Sequence, residues 1–203
     1  MKKLLTLLVI VLVSTNIFAQ AGSWYIGGSV GFNSQNDTDN TGLGKVETKD
    51  SQWDFSPEIG TFLTNNIQLG VGLNFGGGTT DITVGSVSSK VKNSNIGATL
   101  YGRYFFREGE TFRPFIGLNI PFTTGKTTQE SVQDIKNNAF GVNANAGFAY
   151  ALSSRVAVVG SVGFLGYTSS KQTQGSIEDT SNGFKFLANT LGSPFNVGIY
   201  YTL

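Results

Sequence analysis

Residues Trp53–Phe75, WDFSPEIGTFLTNNIQLGVGLNF, decide the fold. Apolar side chains fall on alternate positions at Trp53, Phe55, Pro57 and Ile59. Thr64, Asn65 and Asn66 supply a polar reversal, and the alternation resumes at Ile67, Leu69, Val71, Leu73 and Phe75. This pattern predicts a β-hairpin with one continuous apolar face. The positions between are small or polar (Asp54, Ser56, Glu58, Gly60, then Gln68, Gly70, Gly72, Asn74), so the second face looks toward something wet or narrow. A soluble hairpin would lay its apolar face on a core. Here the same unit recurs with nothing left over to cover those faces, and lipid is the remaining candidate.

Working outward from this hairpin, eight alternating segments of about ten residues follow one another, the length a tilted strand needs to cross hydrocarbon. Their apolar faces carry Trp24 to Phe32, the two arms of the hairpin, Ile96 to Phe106, Pro114 to Phe122, Phe140 to Tyr150, Val156 to Phe164 and Phe195 to Leu203. The connections alternate in length. Residues 34–51, 77–94, 123–138 and 169–192 read as long polar loops, whereas 63–66, 107–111 and 152–155 read as short turns. That alternation belongs to an up-and-down outer-membrane barrel, with short periplasmic turns and longer outer loops. Both mature termini are then expected on the periplasmic side.

Charge placement agrees. Within the spans the charges are Asp54, Glu58 and Arg103, all in the polar phase. A basic residue on the lipid face near the midplane would cost about 2–4 kcal/mol. The rival packing is a soluble, lipocalin-like barrel with the Phe and Val face inside. One stretch breaks phase: Phe184 and Phe186 are apolar on even positions, while the last span is apolar on odd ones from Phe195. A one-residue slip turns every side chain over, so a bulge or loop is expected near Gly192 to Pro194.

The composition sets further bounds. The chain has 203 residues, with 27 Gly and 16 Phe, no His and no Cys. The lack of Cys removes disulfides, thiolate metal sites and cysteine nucleophiles. Residues 1–21 read as a cleaved signal peptide, with Lys2 and Lys3, an apolar run from Leu4 to Val13 and a small-residue end at Ala19-Gln20-Ala21. The run is shorter than the roughly 20 residues of a membrane anchor. Without Lys2 and Lys3, 12 basic residues face 13 acidic ones, and no basic stripe suggests nucleic acid.

Inside an eight-stranded barrel there is just room for side chains. The lumen phase holds Tyr25, Tyr101, Phe105, Phe115, Tyr167 and Tyr200, with Asn74, Asn119, Asn143 and Asn145 among glycines. Glu58 and Arg103 lie at similar distances from their turns, which predicts an internal, structural ion pair. Asp54, Tyr101, Asn143 and Asn145 are the other polar lumen candidates. A sharper reading takes the lumen glycines, among them Gly27, Gly70, Gly117 and Gly147, as a narrow passage. Catalysis has little to draw on: no His can activate a serine, and Asp54 and Glu58 stand about 13 Å apart on one strand face, too far for a retaining carboxylate pair. Asp37 to Gly42 begins like a calcium loop, but position twelve is Thr48, and a solvated polar loop is the better reading. Gly76-Gly77-Gly78 and Gly160 to Gly166 lie in or beside strands, whereas phosphate cradles precede helices.

The leader, the eight spans and the aromatic last strand resemble the small outer-membrane β-barrel proteins, a broad group that includes OmpX and the barrel domain of OmpA. The phrase PEIGTFLTNNIQLGVGLNF is similar to the second hairpin of the outer-membrane β-barrel domain proteins widespread in Bacteroidota. Members commonly end in an aromatic residue read by the barrel-assembly machinery. This chain ends Tyr201-Thr202-Leu203 and keeps an aromatic two places earlier. The resemblance implies that machinery as a partner during biogenesis.

The fold expected is therefore all-β: a signal peptide at 1–21, then an eight-stranded antiparallel up-and-down transmembrane β-barrel over 22–203, monomeric and set in the bacterial outer membrane. Expected partners are outer-membrane lipid and lipopolysaccharide, with Trp24, Trp53, Tyr104, Tyr150 and Tyr201 as interface anchors. No cofactor or metal is expected, and no peptidoglycan-binding module after Leu203. The expected work is structural support and surface interaction through four outer loops. The alternative is a narrow porin-like channel or a transporter of small hydrophobic compounds.

Overall fold

In the computed structural model the described residues are 22–41, 44–85, 87–107, 109–129, 132–186 and 195–203. The leader expected at 1–21, and the bulge or loop expected at 192–194, lie outside them. The strands are β1 (Trp24–Thr41), β2 (Gly44–Phe62), β3 (Ile67–Val84), β4 (Val87–Phe105), β5 (Phe112–Gln129), β6 (Val132–Ala151), β7 (Val156–Gln174), β8 (Ile177–Phe186) and β9 (Phe195–Thr202). Each of β1 to β7 pairs antiparallel with its neighbour in sequence. The eighth wall position is shared. β8 runs beside the later half of β7, from Leu165↔Phe186 to Gln174↔Ile177, and β9 runs beside its earlier half, from Val156↔Tyr201 to Val162↔Phe195. β9 also meets β1 from Tyr25↔Thr202 to Gly28↔Ile199, and this pairing closes the ring. The molecule is a closed, eight-stranded, up-and-down antiparallel barrel.

Side chains alternate across its wall as the pleat requires. Along β3, Gln68 and Gly72 are buried while Leu69, Val71 and Leu73 are exposed. Val30, Phe55, Ile96, Leu118, Phe122 and Ile199 likewise point outward. The buried set instead combines Tyr25, Tyr101, Phe105, Phe115 and Tyr200 with Glu58, Arg103, Asn119, Asn143 and Asn145. The lipocalin-like packing is thereby excluded, because the aliphatic face lies outside. No helix among the described residues is long and apolar enough to cross a membrane.

Two sequence expectations need correction. Tyr167 is not in the lumen. Asn145 pairs with Gly163 but Ala144 pairs with Leu165, so Phe164 is bulged out of register. A bulge inserts one unpaired residue and reverses the phase beyond it, which turns Leu165 and Tyr167 outward. The Tyr167 ring then meets Phe184 at 5.1 Å on the outer surface. The same slip lets Phe184 and Phe186 face outward on even positions, since they pair with Tyr167 and Leu165.

The second correction concerns the long connections. Residues expected to be loops are mostly paired strand: β1–β2 is zipped to Thr41↔Gly44, β3–β4 to Val84↔Val87 and β7–β8 to Gln174↔Ile177. Thr, Ser, Asn and Lys predominate there with few apolar residues, so the segments look like loops in sequence, although neighbouring hairpins also pair with one another, from Val46↔Val84, Val91↔Gln129 and Ile135↔Gln174, and so continue the barrel wall. Gly85 and Gly175, both at φ +61°, supply the left-handed residue that tight hairpin turns demand. Facing charges help: Lys90 meets Asp81 at 3.3 Å, Lys126 meets Asp134 at 2.6 Å and Lys171 meets Glu178 at 2.8 Å. A strand of 18 residues, such as β3, is roughly 60 Å long. Tilted as barrel strands are, it rises roughly 45 Å, against an apolar band about 25 Å tall. The hairpins therefore project well beyond the lipid-facing belt on one side, while the short turns stay close to it on the other.

Candidate functional site

The chemistry-bearing residues gather in the short-turn half of the lumen, where the inward phases of β1 to β5 and β9 converge. Arg103 on β4 reaches across the interior. Its Nη2 lies 3.1 Å from Glu58 Oε2 on β2 and 3.3 Å from the Tyr200 hydroxyl on β9. Nη1 donates to Gln68 Oε1 on β3 at 3.2 Å. Tyr200 donates its hydroxyl proton to Glu58 Oε2 at 2.6 Å. Four strands thus meet through one guanidinium, and both charged residues are only 6% exposed.

Aromatic rings surround that cation. The Arg103 guanidinium carbon lies 4.2 Å from the Tyr101 ring centre and 5.4 Å from those of Phe115 and Tyr200. Cation–π attraction therefore adds to the ion pair. Tyr101 in turn shares a 2.5 Å hydroxyl contact with Tyr25. Glycine makes the room: a Cβ on Gly70 would stand 2.5 Å from Tyr101 Cζ, and one on Gly27 would stand 2.5 Å from Tyr200 Cδ1. The space that the passage reading assigned to lumen glycines is occupied, at these two positions, by rings.

Of the other polar candidates, Asn145 lies nearest the knot, on the same register row as Arg103 across Gly117, while Asn143 and Asp54 lie further toward the hairpins. Asn145 is buried beside Gly117, and its Oδ1 has no hydrogen-bond partner among the described residues. Asn143, one register further along β6, accepts at its carbonyl from Asn119 Nδ2 at 3.5 Å. Asp54 is only partly buried and lines a cavity of about 370 Å³ in the hairpin half of the lumen, together with Asn74, Asn95, Asn137 and Asn143. A second cavity, of about 390 Å³, opens at the short-turn end between Phe62, Phe105, Val159 and Arg113. Arg103 and Glu58 line neither. Arg113 stands over the Phe105 ring at 4.7 Å and donates from Nε to the Arg107 carbonyl at 2.7 Å and from Nη2 to the Asn65 carbonyl, which holds two short turns together.

Trp24, Tyr104, Tyr150 and Tyr201 sit at the short-turn rim, opposite Thr61, Ile67, Phe112 and Val156, with Trp24, Tyr104 and Tyr150 exposed outward. Tyr201 accepts at its hydroxyl from Arg155 Nη1 at 3.0 Å. Trp53 lies at the other edge of the belt, between Phe32 and Gly77. Asp37 and Asp39 are on strand β1, paired with Thr48 and Val46, an extended course that does not wrap an ion. Among the described residues no cluster of three metal-ligating side chains occurs.

Sequence phase alone did not single out Gln68 or Tyr200 as partners of Arg103. Gln68 is directly opposite Arg103 in the β3–β4 register, but Tyr200 is reached only because β9 closes on β1, a contact between the first and last strands of the barrel.

The structure is similar to that of the outer membrane protein OprG from Pseudomonas aeruginosa, at 16% identity and a TM-score of 0.56 over 92% of this chain and 98% of that one. The N-terminal β-barrel domain of Pseudomonas aeruginosa OprF also aligns, at 13% identity and a TM-score of 0.45 over 90% and 98% of the two chains. A comparison with curated protein sequences found no match. The family described as the outer membrane protein beta-barrel domain matches residues 5–189. Together with a closed wall of lipid-facing strands, that match means that the chain belongs to the outer membrane protein beta-barrel domain family and that its site is the bacterial outer membrane.

Proposed function

We propose that the protein is a non-catalytic, integral barrel that braces the outer membrane and presents four long hairpins to the surroundings. The observation that carries this reading is the plug formed by Glu58, Arg103, Tyr200, Gln68 and Tyr101, which lies between two cavities that share no lining residue. A lumen cross-braced from four strands suits a stiff post better than a conduit. The absence of His from the chain removes the usual activator of a hydroxyl nucleophile.

The second reading, a narrow channel or a transporter of small hydrophobic compounds, draws on those same two cavities, and it requires the Arg103 bracing to part. Reconstitution into planar bilayers separates the two. Steady silence is expected, with no discrete steps across a range of voltages and salts. Regular unit conductance in the unmodified protein would sink the bracing role.

A further inference from the structure

The hairpin-side cavity differs in chemistry from the rest of the lumen. Among the described residues, its inward-phase lining carries Asn74, Asn93, Asn95, Asn137 and Asn143 and a single carboxylate, Asp54, and no Lys or Arg. Asn74 is committed, donating to Ser56 Oγ at 3.2 Å and accepting from Thr99 Oγ1 at 2.9 Å, and so forms part of a fixed floor. Asn137 Oδ1, by contrast, is buried without a hydrogen-bond partner among the described residues. An orphaned buried acceptor calls for a donor from elsewhere.

From this we infer that the cavity is a binding site for a small, neutral, polyhydroxylated solute of sugar-like chemistry. Each carboxamide offers donors and acceptors side by side, which is what a row of hydroxyls, each both giving and accepting, requires. Anions are disfavoured because the one formal charge facing them is negative. Among the described residues, flat aromatic ligands find no ring on the inward phase: the aromatic residues at the lining, Trp53, Phe75 and Phe140, all sit on the outward phase, with Phe75 stacked on Phe55 at 6.3 Å and Phe140 packed on Phe122 at 5.0 Å. A divalent cation would find a single carboxylate, well short of the oxygen set it needs. The volume of about 370 Å³ lies at the small end of ligand pockets. The floor of Ser56, Asn74 and Thr99, with the Arg103 plug beyond it, makes the site blind, so a solute entering from the hairpin side is held and not passed on.

The test uses the folded barrel in lipid nanodiscs with labelled asparagine side chains, titrated with glucose and, separately, with glucose 6-phosphate. Glucose should give saturable shifts at the side-chain amides of Asn95, Asn137 and Asn143, and the phosphate ester should bind at least about tenfold more weakly through repulsion by Asp54. Asp54→Asn should keep glucose binding and shrink that gap to about twofold or less. Thr123→Trp, which fills the cavity, should abolish the shifts; should that variant fail to fold, the Asp54→Asn comparison decides alone. Shifts that grow linearly without saturation, or equal binding of both sugars by the unmodified protein, would overturn the inference. A conducting barrel that still binds glucose would sink the bracing role and leave this site intact.

Discussion

Arg103 shows what one residue does in so narrow a lumen. Its guanidinium is held by Glu58, Gln68 and Tyr200 and lies over Tyr101, so removing it strands a carboxylate and a phenol in an interior that water reaches poorly. Breaking one side of a buried ion pair costs about 3–5 kcal/mol, whereas replacing both partners is far milder. Arg103→Met should therefore lose about that much stability, and Glu58→Gln with Arg103→Met should recover part of it, as read by urea titration of vesicle-inserted protein and by heat-modifiable gel mobility. Equal stability of the single variant and the parent would show that the pair bears no load. The phase of Glu58, Arg103 and Asp54 is readable from the sequence because strand parity is binary. Which inward side chains touch is set by register and closure, and neither leaves a local signal. Tyr200 is 142 residues from Glu58.

At the scale of elements, the lipid-facing spans are legible because each alternates large apolar residues with small or polar ones over about ten positions. Their hairpin extensions are not, since a continuation of the wall with water on its outer side needs no regular apolar phase. The bulge at Phe164 is hidden for a similar reason: Gly160 to Gly166 offers too few large side chains to reveal a slip of one residue. In the extensions, side-chain pairs supply what packing does not. Asp134 near the tip of β5–β6 has its carboxyl held below the ordinary carboxylate range, first by hydrogen bonding from Lys126, then from Thr128. A depressed folded value means that this stabilisation is complete above the ordinary carboxylate range and is lost as the pH falls through the folded value. Amide-exchange protection at the β5–β6 tip should accordingly persist from neutral pH into mild acid and fall below the usual carboxylate range. Asp134→Asn should flatten that dependence, and added salt should weaken it, because the pair is exposed. A tip whose exchange ignores both the substitution and the acid step would show the contact to be incidental.

For the whole molecule, the asymmetry between long hairpins and short turns predicts its orientation in the membrane. The apolar band is about 25 Å tall, the short turns 63–66 and 152–155 sit at one rim, and β7–β8 extends to a turn at Gly175 far from the other. The start of β1 and the end of β9 lie together at the short-turn rim, where the Leu203 amide donates to the Trp24 carbonyl at 2.8 Å. For a chain delivered from the periplasm, the start of β1, the end of β9 and the short turns are expected to stay there while the polar hairpins face outward. Because the sequence contains no Cys, single substitutions report position without background. Ser176→Cys, at the exposed β7–β8 turn, should react on intact cells with a maleimide carried on a polymer too large to pass the outer membrane. Ser153→Cys, in the turn before β7, should react only after that membrane is permeabilised. The reverse order of labelling would invert the barrel in the membrane, and the carboxamide cavity with it, which would then open to the periplasm.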